Sequence, residues 1–298
     1  MKNEHQDGMP LVSCIIPSYK RCDTVNRAID SVLAQTYTNV EVCLVDDNVP
    51  NDEYSNQLKK ALEKYANNPR VRYIPQEKHI NGAVARNVGI SESKGEYIAF
   101  LDDDDEWLPE KIEKQVELLN KRPDIGGVSC LYMLYRNGEE TRRCSPYSGN
   151  NLQFKVLSRQ IAIYTSTFIC RRQVIEESKG FDPHLLRHQD LQMFTDFLNY
   201  SKIEPINEYL VILHTDSEIN QPNVNRLIDI KDKYFMSVND TISRYTKNDQ
   251  KRIRNAHYFE IALMALREHK LDIFFKYLFK VGFSFVSYVD LVNRIRRR

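Results

Sequence analysis

Residues 97–107 read Tyr97-Ile98-Ala99-Phe100-Leu101-Asp102-Asp103-Asp104-Asp105-Glu106-Trp107. A short apolar run with the character of a strand passes directly into four adjacent carboxylates. Like charges so close repel one another, so the cluster is costly to hold together without a cation. In an open α/β sheet the carboxyl end of a strand is where ligands bind, and hard carboxylate oxygens suit Mg²⁺ or Mn²⁺ bridging to phosphates. Taken alone, the same four aspartates also describe a solvated acidic turn or a calcium site.

Working outward, short apolar runs alternate with amphipathic stretches from Leu11 to about Tyr135, the pattern of βαβ units. Leu11 to Pro17, Val40 to Asp46, Val71 to Ile74, Tyr97 to Leu101 and Gly127 to Tyr135 read as strands. Helices are expected over Thr24 to Gln35 with Asp23 as cap, from Asn81 as cap to Ser93, and from Pro109 in the first turn to Asn120. Residues 138–160 are polar and poorly periodic and read as a loop. Phe168 to Arg171 and Tyr209 to Leu213 read as further strands, and the second half of the stretch between them as a helix. After Asn225 the pattern is helical to the end, with no internal repeat and no low-complexity segment. The expected fold class is α/β, a doubly wound, mainly parallel sheet over residues 1–225 with a C-terminal helical annex over 226–298.

The 298 residues carry 42 basic and 41 acidic side chains, a formal charge of +1, which gives the whole chain no polyanion-binding character and argues against nucleic acid as a partner. Six cysteines, at positions 14, 22, 43, 130, 144 and 170, show no CxxC spacing, which points to a reducing compartment. The polar start MKNEHQDGMP and the lack of any long uninterrupted apolar stretch lead to the expectation of a cytoplasmic protein. Neither a GxxxxGK[ST] phosphate loop nor a GxGxxG turn is present, which removes the commonest kinase, ATPase and dehydrogenase readings.

Four segments fall in order around the acidic strand: Ile15-Ile16-Pro17-Ser18-Tyr19-Lys20-Arg21, Leu44-Val45-Asp46-Asp47, Asn81-Gly82-Ala83-Val84-Ala85-Arg86-Asn87-Val88-Gly89-Ile90, and Lys94-Gly95-Glu96-Tyr97-Ile98-Ala99-Phe100-Leu101-Asp102. In this series the chain resembles, from about Ser13 to Ile219, the inverting glycosyltransferase family 2 with its GT-A fold, of the type that builds bacterial surface polysaccharides. The resemblance implies a nucleotide-sugar donor, UDP-linked, and Mn²⁺ or Mg²⁺ as cofactor. It implies that Pro17 and Tyr19 line the base pocket with Arg21 nearby, that Asp46 accepts a hydrogen bond from a uracil ring NH, and that Arg86 holds the nucleotide. Asp102 and Asp104 take the spaced metal-binding positions, Asp103 lies on the donor side, and Asp105 is a neighbour able to bind metal, ribose or acceptor. Each residue type suits its role: a tyrosine offers a stacking face, an aspartate an acceptor, an arginine a planar fork for an anion.

The same resemblance places the general base at Asp190, within Gly180-Phe181-Asp182 followed by His188-Gln189-Asp190-Leu191-Gln192-Met193-Phe194. A carboxylate suits removal of a proton from an attacking hydroxyl. The chain departs from the family here, with Gln189 where glutamate is usual and Asp196 where an arginine often stands. His214, in the pattern His214 to Ser217, falls where relatives carry a histidine near the donor diphosphate. A sugar nucleotidyltransferase would require a glycine-rich cradle after the first strand, which Ser18-Tyr19-Lys20-Arg21 lacks, and a non-catalytic carbohydrate-binding scaffold would not need aspartates at both metal and base positions. The expected acceptor is a glycan or lipid-linked oligosaccharide, as in O-antigen or capsule assembly. The apolar and basic segment Leu271 to Arg298, with Gly282 a possible interruption, either packs as an annex helix or rests on the anionic inner face of the membrane as a peripheral contact.

Overall fold

The computed structural model describes residues 8–216 and 222–282. In chain order the elements are β1 (Val12–Ser18), α1 (Val25–Leu33), β2 (Val40–Asp46), α2 (Glu53–Leu62), β3 (Val71–Pro75), α3 (Gly82–Glu92), β4 (Tyr97–Phe100), β5 (Glu106–Trp107), α4 (Lys111–Lys121), β6 (Ile125–Arg136), β7 (Glu139–Arg143), α5 (Leu152–Leu157), β8 (Ile169–Arg171), α6 (Arg172–Glu177), α7 (Gln189–Tyr200) and β9 (Lys202–His214). Helices α8 (Val224–Ser237), α9 (Asn239–Ser243), α10 (Lys247–Arg267) and α11 (Leu271–Val281) follow.

One sheet runs β3-β2-β1-β4-β8-β6-β9-β5, with β7 hung on β6. Strands β3, β2, β1 and β4 are mutually parallel, and beyond β4 the sheet becomes mixed: β8 lies antiparallel to β4 and β6, and β9 parallel to β6. Every residue of β2 is buried, as a parallel strand covered on both faces should be. Alternation along β1 sends Cys14 and Ile16 to the face covered by α1 and α4, and Ile15 to the face covered by α3 and α7. The second face continues into Tyr234, Phe235, Val238, Ile242 and Ile253, so the first of the C-terminal helices share the core of the sheet. A smaller apolar cluster joins α8, α10 and α11.

Register sets the active rim. Ser18 pairs with Asp46 and Asp46 with Pro75, so the loops after β1, β2 and β3 leave the sheet side by side, and the acidic turn follows β4 next to them. Helix α3 lies very close to β1 because residue 89 is glycine: a Cβ there would stand 2.3 Å from Ile15 Cγ2. Asn81 caps α3 by accepting from the backbone of Ala83 and Val84, as its place in the sequence suggests. Helix α1 instead has Thr24 at its cap, with no side-chain capping bond, and α4 starts two residues after Pro109.

The stretch 138–160 is not a plain loop. Asn137 and Gly138 both have positive φ, 51° and 79°, and turn β6 back into β7 as a hairpin. Leu152, Val156 and Leu157 then bury one side of α5 against the core. The period-2 signal is hidden because β7 is the charged, exposed strand Glu139-Glu140-Thr141-Arg142-Arg143. Strand β9 is likewise longer than the apolar run Tyr209 to Leu213, starting at Lys202 and following β6 through register shifts.

Helix α11 stops at Gly282, whose φ of 64° belongs to the left-handed region. Residues 283–298 of the apolar and basic segment Leu271 to Arg298, with its terminal arginines, and Ser217 after His214 lie outside the described residues. Among the described residues no helix is long and apolar enough to cross a membrane.

Candidate active site

The turn after β1 carries Tyr19, Lys20 and Arg21. Lys20 has positive φ, and its backbone N–H donates to Asn48 Oδ1 at 2.8 Å, which ties this turn to the end of β2. Pro17, Tyr19, Arg21, Asp47, Arg86 and Asp102 line a cleft of about 270 Å³, which Asp103 and His79 also border. Tyr19 is already stacked on His79, with ring centroids 3.8 Å apart and an interplanar angle of 12°.

Asp46 is not part of this cleft. Its Oδ1 accepts from the backbone N–H and side-chain amide of Asn48, and its Oδ2 accepts from Ser55 and from Tyr73 at 2.6 Å. Four donors fill the lone-pair sites of one carboxylate, so in this structure Asp46 fastens the end of β2 and the base-reading position expected of it is not among the cleft-lining residues. The cleft-lining acid is the next residue, Asp47, whose Oδ1 accepts from Gln76 at 2.7 Å and whose Oδ2 lies 3.0 Å from His79 Nδ1. Burial raises the Asp47 pKa above the usual carboxylate value.

The four aspartates face different ways. Asp105 is buried, accepting at Oδ2 from Ser166 at 2.6 Å and at Oδ1 from the backbone N–H of His214 at 3.2 Å. Ser166 Oγ accepts in turn from the backbone N–H of Asp102, so Asp105 locks the turn together. Both oxygens of Asp105, expected as a metal, ribose or acceptor ligand, are engaged within the protein. Asp102 receives Arg86 Nη2 at 2.6 Å, and Asp104 receives Arg21. Asp103 is buried, with Arg21 3.4 Å from Oδ1 and no hydrogen bond at Oδ2, and burial pushes its pKa up to about 7.

His214 reaches this turn from β9, brought there by pairing of Glu106 with Ile212 and Trp107 with Val211. Both of its ring nitrogens are buried without a hydrogen bond, 3.5 Å from a Glu106 oxygen and 3.8 Å from an Asp216 oxygen. Among the described residues no three His, Cys, Asp or Glu side chains converge as a metal centre. The acidic turn supplies hard carboxylate oxygens of the kind a divalent cation takes, with Asp102 and Asp104 paired to Arg86 and Arg21 and the buried Asp103 Oδ2 left without a hydrogen bond. Arg86 likewise keeps a buried Nε with no acceptor.

On the far side of Arg86 and Asp102 the cleft continues into a pocket of about 150 Å³ lined also by Tyr164, Arg187, Gln189 and Asp190. Asp190 is in the first turn of α7, where the helix dipole favours an anion, yet burial raises its pKa overall, with Arg159 and Arg86 pulling it back. Helix α3 holds this second wall: Asn87 accepts from the Phe181 N–H and donates to its carbonyl at 2.7 Å, Asn81 donates to the Pro183 carbonyl, and Arg86 donates to Gln189. Gly180, at φ 60°, makes that approach possible, since a Cβ would lie 2.6 Å from Asn87 Oδ1. Asp196, in place of the usual arginine, accepts from Gln192 and takes no part in the pocket lining.

Sequence reading missed what backs Asp190. His188, immediately before α7, has positive φ and packs edge-on against Tyr234 of α8, with ring centroids 5.6 Å apart. Tyr234 stacks on His257 of α10, whose Nδ1 lies 3.0 Å from the fully buried Lys231 ammonium. Lys231 and Arg159 both pair with Glu260, and His257 Nε2 bonds the Leu157 carbonyl at 3.0 Å. A lysine and a histidine, Lys231 and His257, among apolar residues of the helical tail were the available signal.

The model of "Glycosyl transferase family 2" matches residues 13–178. A chondroitin synthase of Pasteurella multocida is 27% identical over 303 aligned residues, covering 99% of this chain and 28% of that protein, so the chain spans under a third of that relative. The Escherichia coli enzyme named UDP-Glc:alpha-D-GlcNAc-diphosphoundecaprenol beta-1,3-glucosyltransferase WfgD is 24% identical, over 88% of this chain and 96% of its own length. In fold the chain is similar to a mannosyltransferase of Pyrobaculum calidifontis solved with GDP-Man and Mn²⁺, with a TM-score of 0.60, 16% identity, and coverage of 96% of this chain and 80% of that one. With the family model spanning more than half of the sequence and the sheet, acidic turn and cleft assembled from the matched residues, this chain belongs to glycosyl transferase family 2.

Proposed function

We propose that the protein transfers a sugar, with inversion, from a UDP-linked donor to a hydroxyl of a glycan or lipid-linked glycan, and that the transfer requires Mn²⁺ or Mg²⁺. The observation that carries this reading is the sharing of Arg86 and Asp102 by two pockets, one ending on Tyr19 and Asp47 and the other on Asp190. A bond broken between those pockets has a nucleotide-sized cleft behind the leaving group and a carboxylate beside the attacking hydroxyl.

In this reading Pro17, Tyr19 and Asp47 receive the base, with Asp47 accepting the ring N–H. Arg21 and Arg86 exchange their carboxylate partners for donor phosphates. Asp104, with Asp102 and His214, would hold the divalent cation, whose charge stabilises the diphosphate leaving group. Asp190 takes the proton of the acceptor hydroxyl, and a carboxylate pKa raised by burial makes it a stronger base than an exposed aspartate. Residues 1–225 form the catalytic unit, and 226–298 a helical annex whose inner residues back the base. The names printed for the relatives, one acting with UDP-Glc on a diphosphoundecaprenol-linked sugar and one solved with Mn²⁺, support the donor class, the metal and a role in surface-polysaccharide assembly. The ridge of Leu271, Phe275 and Phe279 left exposed on α11 supports a peripheral membrane contact.

The test is hydrolysis and transfer from a panel of UDP, GDP, CDP and dTDP sugars with Mn²⁺ or with chelator. UDP-sugar turnover that vanishes in chelator and in Asp104→Ala is the expected result. Full turnover in chelator would reject the metal requirement, and pyrophosphate release from a nucleoside triphosphate would identify a nucleotidyltransferase instead.

A further inference from the structure

Tyr164 stands between two pockets. On one side is the pocket of Asp190, of about 150 Å³. On the other is a space of about 220 Å³ whose walls come from the β6-β7 hairpin with the chain just after it, and from residues 159–164, which follow α5. Tyr132 and Leu134 lie two apart on β6, and Arg142 pairs with Leu134 across the hairpin, so all three project from one face of it. Tyr147, just beyond the hairpin, is tied down: its hydroxyl donates to Ser129 Oγ at 2.7 Å and its backbone N–H to Asn207 Oδ1 at 3.1 Å. The opposite wall carries Arg159, Gln160 and Tyr164. Tyr164 meets Tyr132 edge to face, with ring centroids 4.9 Å apart at 79°, and is 40% exposed. Arg159 holds a positive φ of 59°, which a residue with a side chain keeps only where its surroundings fix it, and its Nε bonds Glu260 at 3.2 Å.

Three tyrosine rings with guanidinium and amide donors around a space of this size are what a pyranose ring requires. An aromatic face takes the C–H side of the sugar, and the planar donors meet its hydroxyls. The space does not select an anion, since Arg159 is already paired with Glu260. Neither pocket alone reaches the roughly 300 Å³ at which small-ligand sites begin, but taken together across Tyr164 they do. Burial raises the Asp190 pKa and the Arg159 guanidinium pulls it back, so a wall of the second pocket lies within electrostatic reach of the carboxylate in the first. We propose that the space between the hairpin and residues 159–164 is a second acceptor subsite, holding the sugar linked to the one whose hydroxyl faces Asp190, so that the protein selects acceptors of two or more sugars over a single sugar. This rests on the reading of the Asp190 pocket as the acceptor side.

The experiment is a ligand-observed NMR titration of the full chain, with UDP and Mn²⁺ present. The probes are glucose, galactose and N-acetylglucosamine, and the disaccharides maltose, cellobiose, laminaribiose, lactose, N-acetyllactosamine and chitobiose. At least one disaccharide should bind about tenfold or more tightly than either of its own monosaccharides. Ala162→Trp and Ser145→Trp, at exposed positions on the two walls, fill the space without entering the core, and each should remove that gain while monosaccharide and UDP affinities stay within about twofold. Leu186→Trp, on the exposed rim of the Asp190 pocket, should weaken monosaccharide and disaccharide together. Absence of a gain for every disaccharide, or a gain that survives in both the Ala162 and Ser145 variants, overturns the subsite. Glycan binding unchanged by Leu186→Trp would instead reject the Asp190 pocket as the acceptor side, an outcome that the other two variants cannot produce.

Discussion

The two walls of the cleft are built by different means. On the donor wall, Tyr19, Asp47 and the acidic turn sit at the ends of adjacent parallel strands, and neighbours in sequence or in strand register hold them: Asn48 and Ser55 fasten Asp46, and Ser18 receives the Asp47 N–H. On the base wall, Asp190 stands at a helix start whose supports come from far along the chain, Asn87 and Asn81 from α3 and the group of Lys231, His257 and Glu260 from the tail. Strand ends place side chains through backbone geometry, which tolerates change. A wall assembled from buried polar contacts depends on each partner being present, because an unpaired buried polar group costs far more than a pair gains.

The largest separation of the two walls should come from Asp190→Asn, which keeps the shape of the side chain and removes the proton acceptor. Transfer should fall by about 10² to 10⁴ fold while UDP affinity stays unchanged, as read by steady-state rates and nucleotide titration. Its pH behaviour has a fixed sign. Because burial raises the Asp190 pKa, the acid limb of kcat/KM should lie above the usual carboxylate range, with activity lost as pH falls through it. Protonated Asp190 is favoured in the folded state, so its ionisation opposes stability as pH rises above the unfolded value. The asparagine variant should therefore unfold at a higher temperature than the wild type at neutral pH. A lower unfolding temperature would contradict the burial argument.

Next comes Lys231→Met, which removes a fully buried ammonium from the part-buried Glu260 and leaves that carboxylate its pair with Arg159. Loss of one member of such a group should destabilise the protein by about 3 kcal/mol in denaturant unfolding, and in the folded fraction kcat should fall more than UDP affinity. Equal losses of UDP binding and kcat would break the division into two walls. Within the donor wall, Asp47→Asn should weaken UDP binding about tenfold, whereas Asp46→Asn should lower stability by about 1–3 kcal/mol with a smaller change in affinity. The reverse pattern would restore Asp46 as the base-reading acid. The smallest effect is expected for Tyr19→Phe, which keeps the face stacked on His79, so that UDP affinity should change by less than about threefold.

Much of the donor wall was legible because its signals are local. An apolar strand ending in carboxylates, or a cap such as Asn81, is written in a few consecutive residues, and β2 and α3 fall where their patterns put them. The hairpin at Asn137-Gly138 also had a local signal in that dipeptide, masked by the charged strand that follows. Asp46 and Asp47 show where local reading stops: adjacent carboxylates are equivalent in a sequence, but strand pairing gives Asp46 to Ser55 and Tyr73 and leaves Asp47 to the cleft.

By itself, then, the sequence determined the α/β alternation, the rim where ligands meet the sheet, and the family, since these depend on periodicity and on short ordered segments. Tertiary structure alone decided which acid of each cluster faces the cleft, which is spent on fastening a turn, and that a lysine and a histidine from the tail stand behind Asp190. Those outcomes turn on the direction of a side chain and on partners as far as 109 positions apart, and no local pattern encodes such contacts.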